Sequence, residues 1–134
     1  MTDQQQKKIL VVEDEEYLRD LYVQILKEEG YIVESASNGE EALDMCMKNV
    51  YDLILLDVIL PKMDGLQVLD TLAKSGKKSF HNIVLLTNLG QDLVVAKALD
   101  YGVSGYMIKS DYTPEEILKE IKGYLENKTM KSSL

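Results

Sequence analysis

Leu53-Ile54-Leu55-Leu56-Asp57 is an unbroken aliphatic run that ends on a carboxylate. A strand with one face in water alternates apolar and polar residues. A run without alternation is a strand covered on both faces, the usual condition of a parallel sheet. Ile9-Leu10-Val11-Val12 upstream and Ile83-Val84-Leu85-Leu86 downstream have the same character. Tyr31–Val33 and Gly105–Ile108 complete a beat of five runs. The stretches between them have helical period. Leu18, Tyr22, Ile25 and Leu26 fall on one stripe, and Ile117, Leu118, Ile121 and Leu125 on another. Strands alternating with helices predict five β-α units, a parallel sheet and right-handed crossovers.

The boundaries carry their own chemistry. Asn38-Gly-Glu-Glu41 and Thr113-Pro-Glu-Glu116 each place a capping oxygen three residues before a Glu. Pro114 sits where a missing N–H costs nothing. Gly30, Gly76 and Gly102 follow the ends of helical patterns, where a left-handed cap is wanted.

The composition bounds the function. A chain of 134 residues predicts one domain over 1–134, with a core of about 8–125 and a short tail at 126–134. Apolar residues at 46% and charged residues at 28% are globular values. A net charge of -8 and a pI near 4.6 argue against direct nucleic-acid binding, since phosphates would repel this surface. The one cysteine, Cys46, cannot form an internal disulfide and shares a helical face with Ala42, Leu43 and Met47, so it reads as a core residue. No run suits a signal peptide or a membrane span. A cytoplasmic domain without membrane insertion is expected, and with nine residues after Leu125 it is expected to act without an output module of its own.

In a parallel sheet the C-terminal ends of all strands lie on one edge, where ligands bind. The first run ends in Glu13-Asp14, the third in Asp57, the fourth in Thr87 and the fifth in Lys109. Three carboxylates, a hydroxyl and an ammonium thus converge on one rim. Carboxylates so placed must share a proton or bind a cation. Hard oxygen donors with room for water suit Mg²⁺. Lys and Thr beside such a metal are groups that hold phosphoryl oxygens, and a central carboxylate can accept a phosphoryl group. Glu15 and Glu16 read as a solvated helix start.

The chain resembles the receiver domain of two-component response regulators, from Lys8 to about Leu125. The matching stretches are Ile9-Leu-Val-Val-Glu-Asp-Glu-Glu16, Asp52 to Gly65 with Pro61, Leu86-Thr87, and Gly102-Val-Ser-Gly-Tyr-Met-Ile-Lys109. The resemblance implies a doubly wound five-stranded parallel sheet of order 2-1-3-4-5 flanked by five helices, as in flavodoxin-like and CheY-like folds. It implies that Asp57 is the phosphoacceptor, with Asp14, Asp57 and the backbone carbonyl of Ile59 as Mg²⁺ ligands and Glu13 acting through water. It further implies that Lys109 and Thr87 contact the phosphoryl group and that Tyr106 changes rotamer on activation. A sensor histidine kinase or phosphotransfer protein would be the donor. A downstream protein would bind the face of the fourth helix, fifth strand and fifth helix, with the domain a monomer or a phosphorylation-dependent dimer.

Three positions depart from the family pattern. Ser110 follows Lys109 where proline is usual, leaving the isomer of that bond open. Asn88 is larger than the common residue there and narrows the approach to Asp57. Ile59 is bulky and apolar. Other features carry no chemistry. His81 lies in a polar loop without a dyad partner, and Gly76-Lys77-Lys78-Ser79 is not a P-loop because Thr71 occupies the place of its first glycine. The segment Gln91 to Asp100 holds more apolar residues than one buried stripe needs, so it is either a partner surface or crowded into the core. The leading function is a phosphorylation-dependent switch, not an enzyme. The alternatives are a docking module that is not phosphorylated, and a Mg²⁺-dependent aspartyl-phosphate phosphohydrolase. The latter class has an acid two residues after its nucleophile, where this chain has Ile59.

Overall fold

The computed structural model describes residues 6–126. Five strands, β1 Lys8–Val12, β2 Ile32–Ala36, β3 Leu53–Asp57, β4 Ile83–Thr87 and β5 Gly105–Ile108, form one sheet. All pair in parallel, in the order β2-β1-β3-β4-β5. Five helices alternate with them: α1 Glu16–Glu28, α2 Gly39–Lys48, α3 Gly65–Lys74, α4 Asp92–Leu99 and α5 Pro114–Glu126. A 3₁₀ turn, Lys109–Asp111, separates β5 from α5.

The period-2 geometry of the strands divides the core into two layers. Leu10, Val12, Ile54, Leu56, Ile83 and Leu85 face α2, α3 and α4 through Ala42, Val68, Leu69 and Ala98. Ile9, Val11, Leu53, Leu55, Val84 and Leu86 face α1 and α5 through Tyr22, Leu26, Ile117 and Ile121. The uninterrupted aliphatic runs are therefore the strands with helices on both faces. At the edge, β2 runs three residues past the apolar signal. Its Glu34 accepts a hydrogen bond from the Tyr51 hydroxyl at 2.6 Å and lies 3.7 Å from Lys8 Nζ. Polar residues there have partners along the flank of the sheet, so hydrophobicity alone understates the strand.

Local signals end the helices as expected. The Thr113 hydroxyl accepts from Glu116 N–H while Glu116 accepts from Thr113 N–H, closing a reciprocal cap. Asn38 accepts from Glu41 N–H, but the Glu41 carboxylate turns to Ser37 N–H instead. Asp64 and Gln67 form a further reciprocal cap that no Glu betrayed in the sequence. Gly30, Gly76 and Gly102 have φ of 99°, 105° and 88°, the left-handed conformation that caps a helix. The loop after β3 is held by close approach. A Cβ on Gly65 would lie 2.9 Å from Asp57 O, and one on Gly39 would collide with the Met63 carbonyl. Both helices thus press their N-termini against the loop that follows Asp57.

Candidate functional site at the C-terminal edge of the sheet

Parallel pairing sets Asp57 beside Leu86 and Thr87 beside Ile108, so β3, β4 and β5 end together on one rim. Glu13 follows β1, its N–H donating to Ala36 O at 3.1 Å. An open cleft of about 580 Å³ lies there, bounded by Glu13, Asp14, Asp57, Ile59, Asn88 and Lys109 among others. Glu13, Asp14 and Asp57 each bring a carboxylate oxygen within 4.8 Å of the other two. Glu13 and Asp57 are buried, whereas Asp14 is exposed.

Lys109 answers the buried acids. Its Nζ donates to Asp57 Oδ2 at 2.8 Å and stands 2.7 Å from Glu13 Oε1. The contact to Glu13 is an ion pair without the alignment of a hydrogen bond, so Glu13 Oε1 remains a buried acceptor lacking a donor. Burial pulls the Lys109 ammonium down, but its hydrogen bond to Asp57 and the negative charges of Asp57 and Glu13 outweigh that and leave the pKa above the ordinary value. Asp57 behaves the other way. Burial pushes its carboxyl up to about 6 despite the Lys109 hydrogen bond and charge and the Ile59 N–H, which donates to Oδ1 at 3.1 Å. Three carboxylates against one ammonium leave the cleft short of positive charge.

Tyr22, also buried, has its phenol pushed up to about 12 by burial, partly offset by the Lys109 charge. The Lys109–Ser110 bond is trans, like the other described peptide bonds. Thr87 is buried at the rim, but its hydroxyl donates to Asn88 O at 3.1 Å rather than to an acid of the cleft. Tyr106 projects from β5 with 46% of its surface exposed. Ile59 and Asn88 border the cleft, whereas Leu89 turns two-thirds of its surface to solvent, 66%. Leu93 on α4 is 80% exposed while Val95 and Ala98 are buried, so that helix divides its apolar residues between core and surface. Cys46 packs partly buried against the core, and burial pushes its thiol up to about 11. Arg19, which periodicity leaves unmarked, donates through Nη1 to Glu13 O at 2.9 Å and to Asp14 O at 3.4 Å. The one signal that could have found it is that it is the chain's sole arginine.

An acidic cleft at the C-terminal edge of a 2-1-3-4-5 sheet, closed by a lysine after β5, defines a class. The chain belongs to the response regulator receiver domain family, matching it over residues 9–122. It is 35% identical over 118 residues, 88% of its length, to the transcriptional regulatory protein SrrA of Staphylococcus aureus, of which it covers 47%. The chain thus spans about half the length of the curated relatives it matches. Among solved structures it resembles the response regulator TrrA of Thermotoga maritima, captured with Mg²⁺-BeF, at 36% identity and a TM-score of 0.70. The overlap covers 88% of this chain and 98% of that one. It also resembles a CheY-like receiver domain protein of Methanospirillum hungatei, at 29% identity and a TM-score of 0.80, covering 95% of this chain and 99% of that one. Among the described residues no helix is long and apolar enough to cross a membrane.

The raised pKa of Asp57 has a consequence for stability. Between about pH 4, where an ordinary Asp ionises, and about pH 6, the folded protein holds a proton that the unfolded chain releases, so stability falls as pH rises through that window. Asp57→Asn removes the titration. In metal-free buffer at pH 7 the variant should be more stable than the parent by about 1–3 kcal/mol, with the gain shrinking toward zero near pH 4. Urea unfolding at pH 7 and pH 4.5 in EDTA measures it, and an equal difference at both pH values would refute the assignment.

Proposed function

We propose that the chain is a phosphorylation-dependent switch in which Asp57 takes a phosphoryl group from a sensor histidine kinase, a phosphotransfer protein or a small phosphodonor. The observation that carries this reading is the Lys109 ammonium 2.8 Å from Asp57 Oδ2, beside carboxylate oxygens of Glu13 and Asp14 within 4.8 Å of an Asp57 oxygen. The donor set fits Mg²⁺: hard oxygens, an excess of negative charge, and a buried Glu13 oxygen without a hydrogen-bond donor. Asp14, Asp57 and the Ile59 carbonyl would hold the ion, with Glu13 acting through water. When bound, Mg²⁺ supplies positive charge that screens the acids from the incoming phosphoryl oxygens.

The chain's own residues do the rest. An Asp57 oxygen forms a bond to phosphorus as the P–N bond of a phosphohistidine breaks, and the freed imidazole nitrogen keeps the electron pair and takes a proton from water. Lys109 stays paired to the rim and neutralises the phosphoryl oxygens. The Thr87 hydroxyl leaves Asn88 O to donate to the new anion, and the exposed Tyr106 ring turns into the space that Thr87 vacates. The altered α4-β5-α5 face then meets a downstream protein, as a monomer or as a phosphorylation-dependent dimer. A cytoplasmic setting, with the chain acting as acceptor rather than as an enzyme in turnover, follows from this role.

Acetyl phosphate with Mg²⁺ should add one phosphoryl group to the protein, and a beryllofluoride mimic should shift the amide signals of Thr87 and Tyr106. Asn88 narrows the cleft, so the small donor should react slowly. Incorporation that persists in Asp57→Asn, or that maps to Ser, Thr or His81, would overturn the reading.

A further inference from the structure

Arg19 is the only arginine among fifteen basic residues, and it stands in an unusual place. It lies within the first turn or so of α1, where the helix dipole disfavours a cation. A helical side chain leans toward the helix N-terminus, and here that lean carries the guanidinium back over the loop that joins β1 to α1. Nη1 bonds to the main-chain carbonyls of Glu13 and Asp14, at 2.9 and 3.4 Å, rather than to their carboxylates. Glu13 has other anchors: its N–H reaches Ala36 O, and its Oε2 accepts from Glu15 N–H at 3.0 Å. Among the described residues, the Asp14 carbonyl has only Arg19.

We propose that Arg19 is a positioning residue for the Mg²⁺ site: by fixing both carbonyls it sets the direction in which the Glu13 and Asp14 side chains leave the backbone. The proposal rests on the reading of the cleft as a Mg²⁺-binding phosphorylation site. The loop has reason to need a clamp, because three carboxylates gathered within 4.8 Å repel one another and one ammonium does not balance them. Arginine suits the task, since its rigid planar fork loses little freedom on bonding.

The sign of the effect separates positioning from simple charge. A cation near a metal site repels Mg²⁺, so if Arg19 acted only as a charge, its removal would tighten binding. If it acts by position, removal weakens binding. Groups that orient metal ligands typically change metal affinity 10–100-fold when lost, so Arg19→Ala should raise the Mg²⁺ Kd by about 10-fold or more.

The experiment is a Mg²⁺ titration of the full chain, read from the amide signals of Glu13, Asp14 and Asp57, with the unfolding midpoint in EDTA as a check on the fold. Arg19→Lys should recover part of the lost affinity, and Arg19→Gln, which keeps a donor without the charge, should also bind more tightly than Arg19→Ala. An unchanged or lowered Kd in Arg19→Ala overturns the proposal, as do Lys and Gln variants no better than Ala. Should Arg19→Ala not fold, the Gln variant decides: a Kd above wild type supports positioning, and one at or below wild type overturns it. Failure of wild type to bind Mg²⁺, or binding that survives Asp14→Ala, would instead sink the reading of the cleft itself.

Discussion

Lys109→Met is expected to cost the metal-free protein about 3–5 kcal/mol of stability at pH 7. Met keeps most of the volume of the lysine stem, so the loss isolates the charge rather than a cavity. In the parent the ammonium lies 2.8 Å from Asp57 Oδ2 and 2.7 Å from Glu13 Oε1, and both acids are nearly inaccessible to water. In metal-free buffer, removing it leaves two buried carboxylates without a compensating charge, which is the costly half of breaking a buried ion pair. Lowering the pH should restore the variant relative to the parent. A carboxyl whose folded pKa is raised stabilises the fold below its ordinary pKa and loses that effect as pH climbs through the raised value. Asp57 is already at about 6 with Lys109 in place, and losing the ammonium moves it higher still. Saturating Mg²⁺ should rescue the variant by another route, by returning positive charge to the same oxygens. The double variant Lys109→Met/Asp57→Asn should lose less than Lys109→Met alone, because one of the stranded charges is gone. Urea midpoints in EDTA and in Mg²⁺ measure all of these. A loss below about 1 kcal/mol for Lys109→Met would mean that water reaches the cleft freely and that the pair is of the exposed kind.

How much of this was legible in the sequence divides along physical lines. Central strands show themselves because burial on two faces leaves no place for a polar residue, so β1, β3 and β4 stand out as aliphatic blocks. The edge strand β2 does not, since Glu34 can satisfy itself through Tyr51 and Lys8 outside the core. The positions of Glu13, Asp14, Asp57, Thr87 and Lys109 followed from topology alone: in a parallel sheet the residues that end a strand or directly follow it reach the same rim. What topology cannot supply is orientation. No sequence rule says that the Thr87 hydroxyl turns to Asn88 O, that Tyr106 is half-exposed, or that Leu89 keeps two-thirds of its surface in solvent. Arg19 was invisible for a related reason. It acts through main-chain carbonyls, which every residue carries and no sequence displays.

The orientation of Leu89 bears on how long a phosphorylated state would last. Hydrolysis of an aspartyl phosphate needs a water in line with the breaking bond, held by a group that can orient it. From the sequence, Ile59 and Leu89 both stand where such a group is wanted, two residues beyond Asp57 and Thr87, and neither can hydrogen-bond a water. The structure separates them. Ile59 borders the cleft beside Asp57, while Leu89 is 66% exposed and outside its lining. Ile59 therefore does most of the water exclusion, and the phosphorylated state should outlive that of receivers with an amide or an acid at this place. Ile59→Asn alone should speed decay by about 10-fold, which corresponds to ~1.4 kcal/mol of barrier. Adding Leu89→Glu should gain less, because a side chain directed at solvent must first swing inward to hold the water. The measurement is loss of phosphate after the donor is removed, with Mg²⁺ saturating throughout. Wild-type decay within seconds, or an Ile59→Asn rate no faster than wild type, would remove the argument. A larger gain from Leu89→Glu than from Ile59→Asn would show that the loop after β4 closes over the cleft once Asp57 is phosphorylated.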